Sequence, residues 1–159
     1  MRKTPKSKEE ALKMAEKRQK KIADPSEDCL QANIVRQFSN KYPERRGQLF
    51  LVDNNADNVA TMGKKLALGL VKGVSDLLLS DKGAMVGIEL KTLNSRHKAS
   101  HVIEQAEWIL KWCGRGGFCT SVEMFWDMYY GKSNGIPPQK VIDYIKKEKI
   151  STVMFGNIK

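Results

Sequence analysis

Cysteine is scarce in this chain and poorly placed for either of its structural uses. Cys29, Cys113 and Cys119 are odd in number, and none stands in a C-x-x-C pair. That pattern excludes a disulfide framework and a zinc site and fits buried, reduced thiols. Histidine occurs only at His97 and His101. The two lie four apart at an expected helix start, where contact with solvent or phosphate outweighs metal binding. No apolar run approaches the roughly 20 residues that a bilayer-spanning helix needs, and the lysine-rich start lacks the apolar stretch of a signal peptide. A soluble intracellular protein without a membrane partner is expected. Internal repeats are missing, and the glycines follow neither G-x-G-x-x-G nor P-loop spacing, so the glycines over 63–73 are only a weak signal for a phosphate cradle.

What is present is enough apolar sequence for one globular domain: 159 residues, 41% hydrophobic and 29% charged. The 28 basic residues outnumber the 18 acidic ones, for a formal net charge of +10. The first 24 residues hold nine of the basic residues against Glu9, Glu10, Glu16 and Asp24, so half the excess lies there and half in the rest. A basic balance in both parts fits a polyanionic partner, since neutralising phosphates releases counterions.

Periodicity predicts the following elements. Ser7-x-x-Glu10 is a capping box that opens a basic helix over 8–22. Asp24 or Ser26 caps a second helix through about Asn40, with Pro25 in its first turn and Leu30, Ile34, Val35 and Phe38 as its buried stripe. A strand over 48–53 is broken by Asn54-Asn55-Ala-Asp57-Asn58. Glycine-punctuated residues 63–73 form a short helix or turn that carries Lys64, Lys65 and Lys72. After a polar, basic stretch over 94–100, a helix over 99–113 places Val102, Ala106, Ile109 and Cys113 on one stripe and His101, Gln105, Trp108 and Trp112 on another. Gly114-Arg-Gly-Gly117 ends it. A strand over 118–122, a helix over 123–130 and a last helix from Ile136 to about Lys149 follow, and Thr152-Val-Met-Phe155 adds an edge strand. The order reads as mixed α/β layers around a central sheet.

Two segments carry the chemistry. Gly73-Val-Ser-Asp76-Leu-Leu-Leu and Ile88-Glu89-Leu-Lys91-Thr92 are apolar runs interrupted by charge at alternating positions. Successive strand residues point to opposite faces, so Glu89 and Lys91 share one face and Leu90 takes the other. Residues 80–84 carry turn chemistry, so the runs form an antiparallel hairpin that sets Asp76 beside Glu89. Two carboxylates about 4 Å apart repel by roughly 4 kcal/mol at an effective dielectric near 20. One must be protonated or a cation must sit between them, and Mg²⁺ suits such a pair. An ordinary cross-strand bridge between Asp76 and Lys91 is the plain alternative. Glu27, an acid in a first helical turn, is simple dipole chemistry when that helix is read alone.

Taken together, helical Glu27, Gly73-Val-Ser-Asp76, Glu89-Leu-Lys91 and helical Gln105 resemble the VRR-NUC branch of the PD-(D/E)xK nuclease superfamily. Asn54 closing the first strand and the element order share the resemblance, which covers roughly residues 25–130. The basic extension over 1–24 and a helical extension over 131–159, packed on the domain, lie outside it. One departure is Ser75, where the family usually has proline. The resemblance implies a restriction-endonuclease-like mixed central sheet flanked by helices. It also implies a Mg²⁺- or Mn²⁺-dependent endonuclease. Asp76 and Glu89 would hold the ion with the Leu90 carbonyl, Glu27 would reach it directly or through water, Lys91 would orient water or stabilise the phosphorane, and Gln105 would fix that water or Lys91. Lys64, Lys65, Lys72, Ser95, Arg96, Lys98 and Ser100 would contact phosphate.

Similar stand-alone proteins, often of phage or bacterial origin, act as homodimers on branched DNA. A cytoplasmic enzyme directed at Holliday junctions or flaps is therefore the implied reading, with residues 125–130 in the dimer face. The rivals are a restriction-like or general DNA-processing nuclease and a catalytically silent nucleic-acid-binding module. Trp108, Trp112, Phe125, Trp126, Tyr129 and Tyr130 read as core or interface, with base stacking as their functional alternative.

Overall fold

The computed structural model describes residues 26–52, 59–71 and 73–158. The expected basic helix over 8–22, the break at 54–58 and Lys72 fall outside them. Helix α1, Glu27–Lys41, starts where Ser26 accepts a hydrogen bond from the Cys29 N–H at 3.3 Å. Glu27 and Asp28 complement its positive end, and Lys41 complements its negative end. Leu30, Ile34 and Phe38, spaced four apart, are buried as the stripe requires. Cys29 points away from them and is exposed, contrary to the expectation that all three thiols are buried.

Strand β1 (Leu49–Leu51) is followed by helix α2 (Val59–Ala67), then by β2 (Leu77–Asp81) and β3 (Ala84–Leu90). The hairpin joining β2 and β3 is tighter than the five-residue turn expected from composition. Asp81 pairs with Ala84, and only Lys82 and Gly83 turn, both at positive φ (49° and 80°). A two-residue turn of this hand matches strand twist, so Ser80, Asp81 and Ala84 join the ladder. Two-residue β4 (His97–Lys98) leads into helix α3 (Ala99–Trp112), which crosses over to β5 (Arg115–Cys119). The sheet order is β1-β2-β3-β5. The first two pairings are antiparallel and the last is parallel, so the sheet is mixed.

Strand β5 begins three residues before the expected 118–122, because its glycines serve close approach rather than chain reversal. Gly116 faces Gly87 across the parallel pair, and a Cβ on Gly116 would sit 2.2 Å from the Gly87 carbonyl oxygen. Gly116→Ala should therefore destabilise the protein by about 3 kcal/mol through overpacking. Urea unfolding measures this, and an unchanged midpoint would show that the two strands are not in contact there.

Helices α4 (Val122–Tyr129) and α5 (Pro138–Glu148) complete the layers. One core joins α1 and α4 to the sheet through Leu30, Ile34, Phe38, Leu77, Ile88, Leu90 and Phe125. A second joins α3, α5 and the C-terminal tail through Val102, Ala106, Phe118, Val141, Ile145 and Phe155. Residues 131–158 thus close one face of the sheet. Strand β6 (Thr152–Val153) does not extend the central sheet. It pairs with β4 as a separate two-stranded ribbon, His97 opposite Val153. The polar composition of 94–100 concealed that partner strand. Among the described residues no helix is long and apolar enough to cross a membrane.

Candidate active site

The acidic hairpin ends converge. Asp76 lies one step beyond the Leu77–Ile88 pair, opposite Glu89, where same-face side chains are nearest neighbours. Its Oδ2 accepts the Leu90 N–H at 2.8 Å, which ties the segment before β2 to the end of β3. Gly73 lets that segment pass α3. Its φ of 77° suits glycine, and a Cβ there would meet the Glu104 carbonyl at 3.0 Å. Leu90 turns its side chain into the core, as alternation requires.

Glu89 is 0% exposed. Its Oε1 accepts from Lys91 Nζ at 2.5 Å and from Gln105 Nε2 of α3. The expected side-by-side placement of Glu89 and Lys91 thus forms, and Lys91 pairs with Glu89 rather than bridging to Asp76. The Oε2 atom of Glu89 is buried without a hydrogen-bond donor. Burial pushes the Glu89 carboxyl well above its ordinary range. Lys91 opposes the shift and the Asp76 carboxyl in contact with it adds to it. Lys91 is itself 4% exposed. Burial pulls its pKa down, yet the charges of Glu89, Asp76 and Glu27 outweigh that and raise it, so it stays an ammonium.

Glu27, in the first turn of α1, joins from the other side of the sheet end. Its Oε1 is buried without a hydrogen bond and lies 3.6 Å from His97 Nε2. Burial raises its pKa, Lys91 opposes this and Asp76 reinforces it. His97 is shifted down by burial and by Lys91, so it is neutral near pH 7. An open cavity of about 310 Å³ beside this pair is lined by Ser26, Glu27, Asp28, Thr92, Ser95 and His97.

Glu27, Asp76, Glu89, Lys91 and Gln105 therefore form one electrostatically connected group. Of the candidate phosphate contacts, Ser95 lines the cavity. Arg96 and Lys98 are exposed on the same connection between β3 and α3, Ser100 is exposed in the first turn of α3, and Lys64 is exposed on α2. The two histidines do not act as a pair. His97 sits on a strand against Glu27, whereas exposed His101 lies 3.7 Å from Glu104. Sequence reasoning missed His97 as a member of this group. It also missed buried Thr92 and Ser75, whose hydroxyls lack hydrogen bonds, and no local pattern marks any of them. Among the described residues no group of three or more His, Cys, Asp or Glu side chains is arranged to hold a metal ion. Comparison with known protein families, with curated proteins and with solved structures finds no match to this chain.

Proposed function

We propose that this chain is a Mg²⁺- or Mn²⁺-dependent endonuclease that hydrolyses phosphodiester bonds in DNA, with branched DNA as its preferred substrate. The observation that carries the reading is the Asp76–Glu89 pair. Two carboxyls meet where one oxygen, Glu89 Oε2, is buried without a donor, although a lysine and a glutamine already hold the other. A structural ion pair with Lys91 does not account for Glu89 Oε2, because an unsatisfied buried oxygen costs about 1–3 kcal/mol. A hydrated Mg²⁺ does, since it binds through one or two carboxylates and keeps waters and phosphate oxygens as its other partners. The donor set fits such an ion better than a closed cage of three or more ligands. The mixed sheet flanked by helices supports a restriction-endonuclease-like fold.

In this reading Asp76 and Glu89 would hold the ion, the Leu90 carbonyl would be a further ligand, and Glu27 would reach it from α1 through water. Bound there, the ion would neutralise phosphoryl charge and acidify the attacking water. Lys91 keeps its proton and presents it toward the charge that develops on the scissile phosphate. Gln105 fixes the rotamer of Glu89. The cavity between Glu27, Ser95 and His97 admits the DNA backbone, and exposed Arg96 and Lys98 neutralise neighbouring phosphates.

The test is a cleavage panel of linear duplex, flap and four-way DNA with Mg²⁺, Mn²⁺ or EDTA. Cleavage that needs the ion and favours branched DNA is the expected result. Equal rates on linear and branched DNA would leave a general nuclease. Binding to DNA with no cleavage under either ion would mark a silent binding module.

A further inference from the structure

At the opposite end of α1 from Glu27 lies a second concentration of chemistry that the proposed active site does not use. The rings of Trp126 and Tyr130 are stacked, with centroids 5.8 Å apart and planes 22° from parallel. Lys41 Nζ stands 4.9 Å from the Trp126 centroid and 5.2 Å from that of Tyr130, and Lys132 Nζ stands 5.8 Å from Tyr130. The Tyr130 hydroxyl lies 3.2 Å from that of Tyr42, and the Arg45 guanidinium sits 5.9 Å from the Tyr42 ring. Among the described residues neither Lys41 nor Lys132 has a carboxylate partner. Tyr130 is 45% exposed.

Resting on the nuclease reading, we infer that this aromatic and cationic patch is a second DNA contact that takes unpaired bases of a single-stranded segment. Exposed Tyr130 offers a ring on which a base stacks, half-buried Trp126 backs it, and the perched lysines can turn outward onto the flanking phosphates. Charge complementarity selects this occupant over a second copy of the chain. A two-fold interface sets the same patch against itself, so Lys41 and Lys132 would face their own equivalents, whereas Arg45 is already paired with Asp81. The expected dimer face over 125–130 is further reduced because Phe125 and Met128 are buried in the core. Along α1 the patch lies about 21 Å from Glu27 by helix rise. That is about six nucleotide steps along one strand. A flap substrate supplies duplex at one end of such a span and unpaired bases at the other.

The experiment measures fluorescence anisotropy of labelled oligo(dT) and of labelled linear duplex with the full-length protein in EDTA. Binding is thereby read without cleavage, and the result stands apart from the nuclease assay. Tyr130→Ala should weaken oligo(dT) binding roughly tenfold and change duplex binding less than about twofold. Lys41→Ala should flatten the dependence of log K on log salt for oligo(dT) by about 0.7. Unchanged oligo(dT) affinity in both variants would overturn the inference even if the protein cleaves DNA. An equal loss on both probes would do the same, since it signals general electrostatics or a disturbed fold. Dissociation of a wild-type dimer by Tyr130→Ala in sedimentation would overturn it in favour of a second copy. A selective oligo(dT) defect in a protein that never cleaves would uphold the inference and remove the nuclease.

Discussion

Asp76→Asn should lower cleavage by about 10³-fold or more and, in the same protein, raise the melting temperature measured without metal. The loss follows because an amide is a far poorer partner for a hard divalent cation, whose charge neutralisation is worth several kcal/mol in the transition state. The gain follows from the geometry at Glu89. The variant amide keeps an oxygen for the Leu90 N–H and supplies an N–H toward the unsatisfied Glu89 Oε2. Satisfying that buried acceptor and removing one negative charge is worth about 1–3 kcal/mol. A chain of this length gains about 2–4 °C per kcal/mol.

The pH dependence has a definite sign. Glu89 has a raised folded-state pKa, so its contribution to stability is complete below its ordinary value of 4.5 and is lost as pH rises through the raised value. Metal-free wild type therefore loses stability from about pH 4.5 toward neutrality. The advantage of Asp76→Asn grows over that window and vanishes in acid. Mg²⁺ should stabilise wild type more at pH 8 than at pH 5 and leave the variant nearly unaffected. Scanning calorimetry at several pH values with and without Mg²⁺ decides this. Identical melting of the two proteins at neutral pH would show that the carboxyls do not meet.

Lys91→Met removes the one ammonium that three acids share, and cleavage should fall by about 10²–10³-fold, the range for losing a single preorganised donor to a developing oxyanion. The methionine stem keeps most of the buried volume, so the loss is of charge. Stability should fall as well. Breaking a buried pair by removing one partner costs about 3–5 kcal/mol, and Glu89 is left without its counter-ion. Because Lys91 has a raised pKa, its stabilising contribution in wild type is complete below its ordinary 10.5 and is lost only above that. The deficit of the variant should therefore shrink as pH falls and Glu89 becomes protonated. Circular dichroism establishes that the variant is folded, cleavage assays measure the rate, and duplex binding in EDTA should change less than about twofold. Full activity in a folded Lys91→Met protein would remove lysine from the mechanism.

Much of this was legible locally. The stripe Leu30, Ile34, Phe38 and the cap at Ser26 located α1 within a residue or two, and the alternation around Leu90 placed Glu89 and Lys91 on one face. Errors came where a residue type has two uses. Gly114-Arg-Gly-Gly117 read as a terminator because glycine usually breaks elements, yet Gly116 lies in a strand to permit contact with Gly87. Residues 80–84 read as a loop by composition, although strand twist needed only Lys82 and Gly83 to turn.

Two kinds of property therefore have different origins in this protein. Side-chain period, capping and net charge act between residues a few positions apart, or add over the whole chain. The amino-acid order alone was sufficient for α1, α3, α4 and α5, the acidic hairpin and the basic character, whereas α2 lies at Val59–Ala67 rather than over 63–73. Contacts between residues far apart in the chain needed the folded sheet. Only tertiary packing brought His97 to Glu27, set Gln105 on Glu89, paired the C-terminal tail with β4 and gathered Lys41 and Lys132 on one stacked pair of rings. None of those meetings leaves a local trace, because each depends on where two separate elements cross rather than on the spacing within either one.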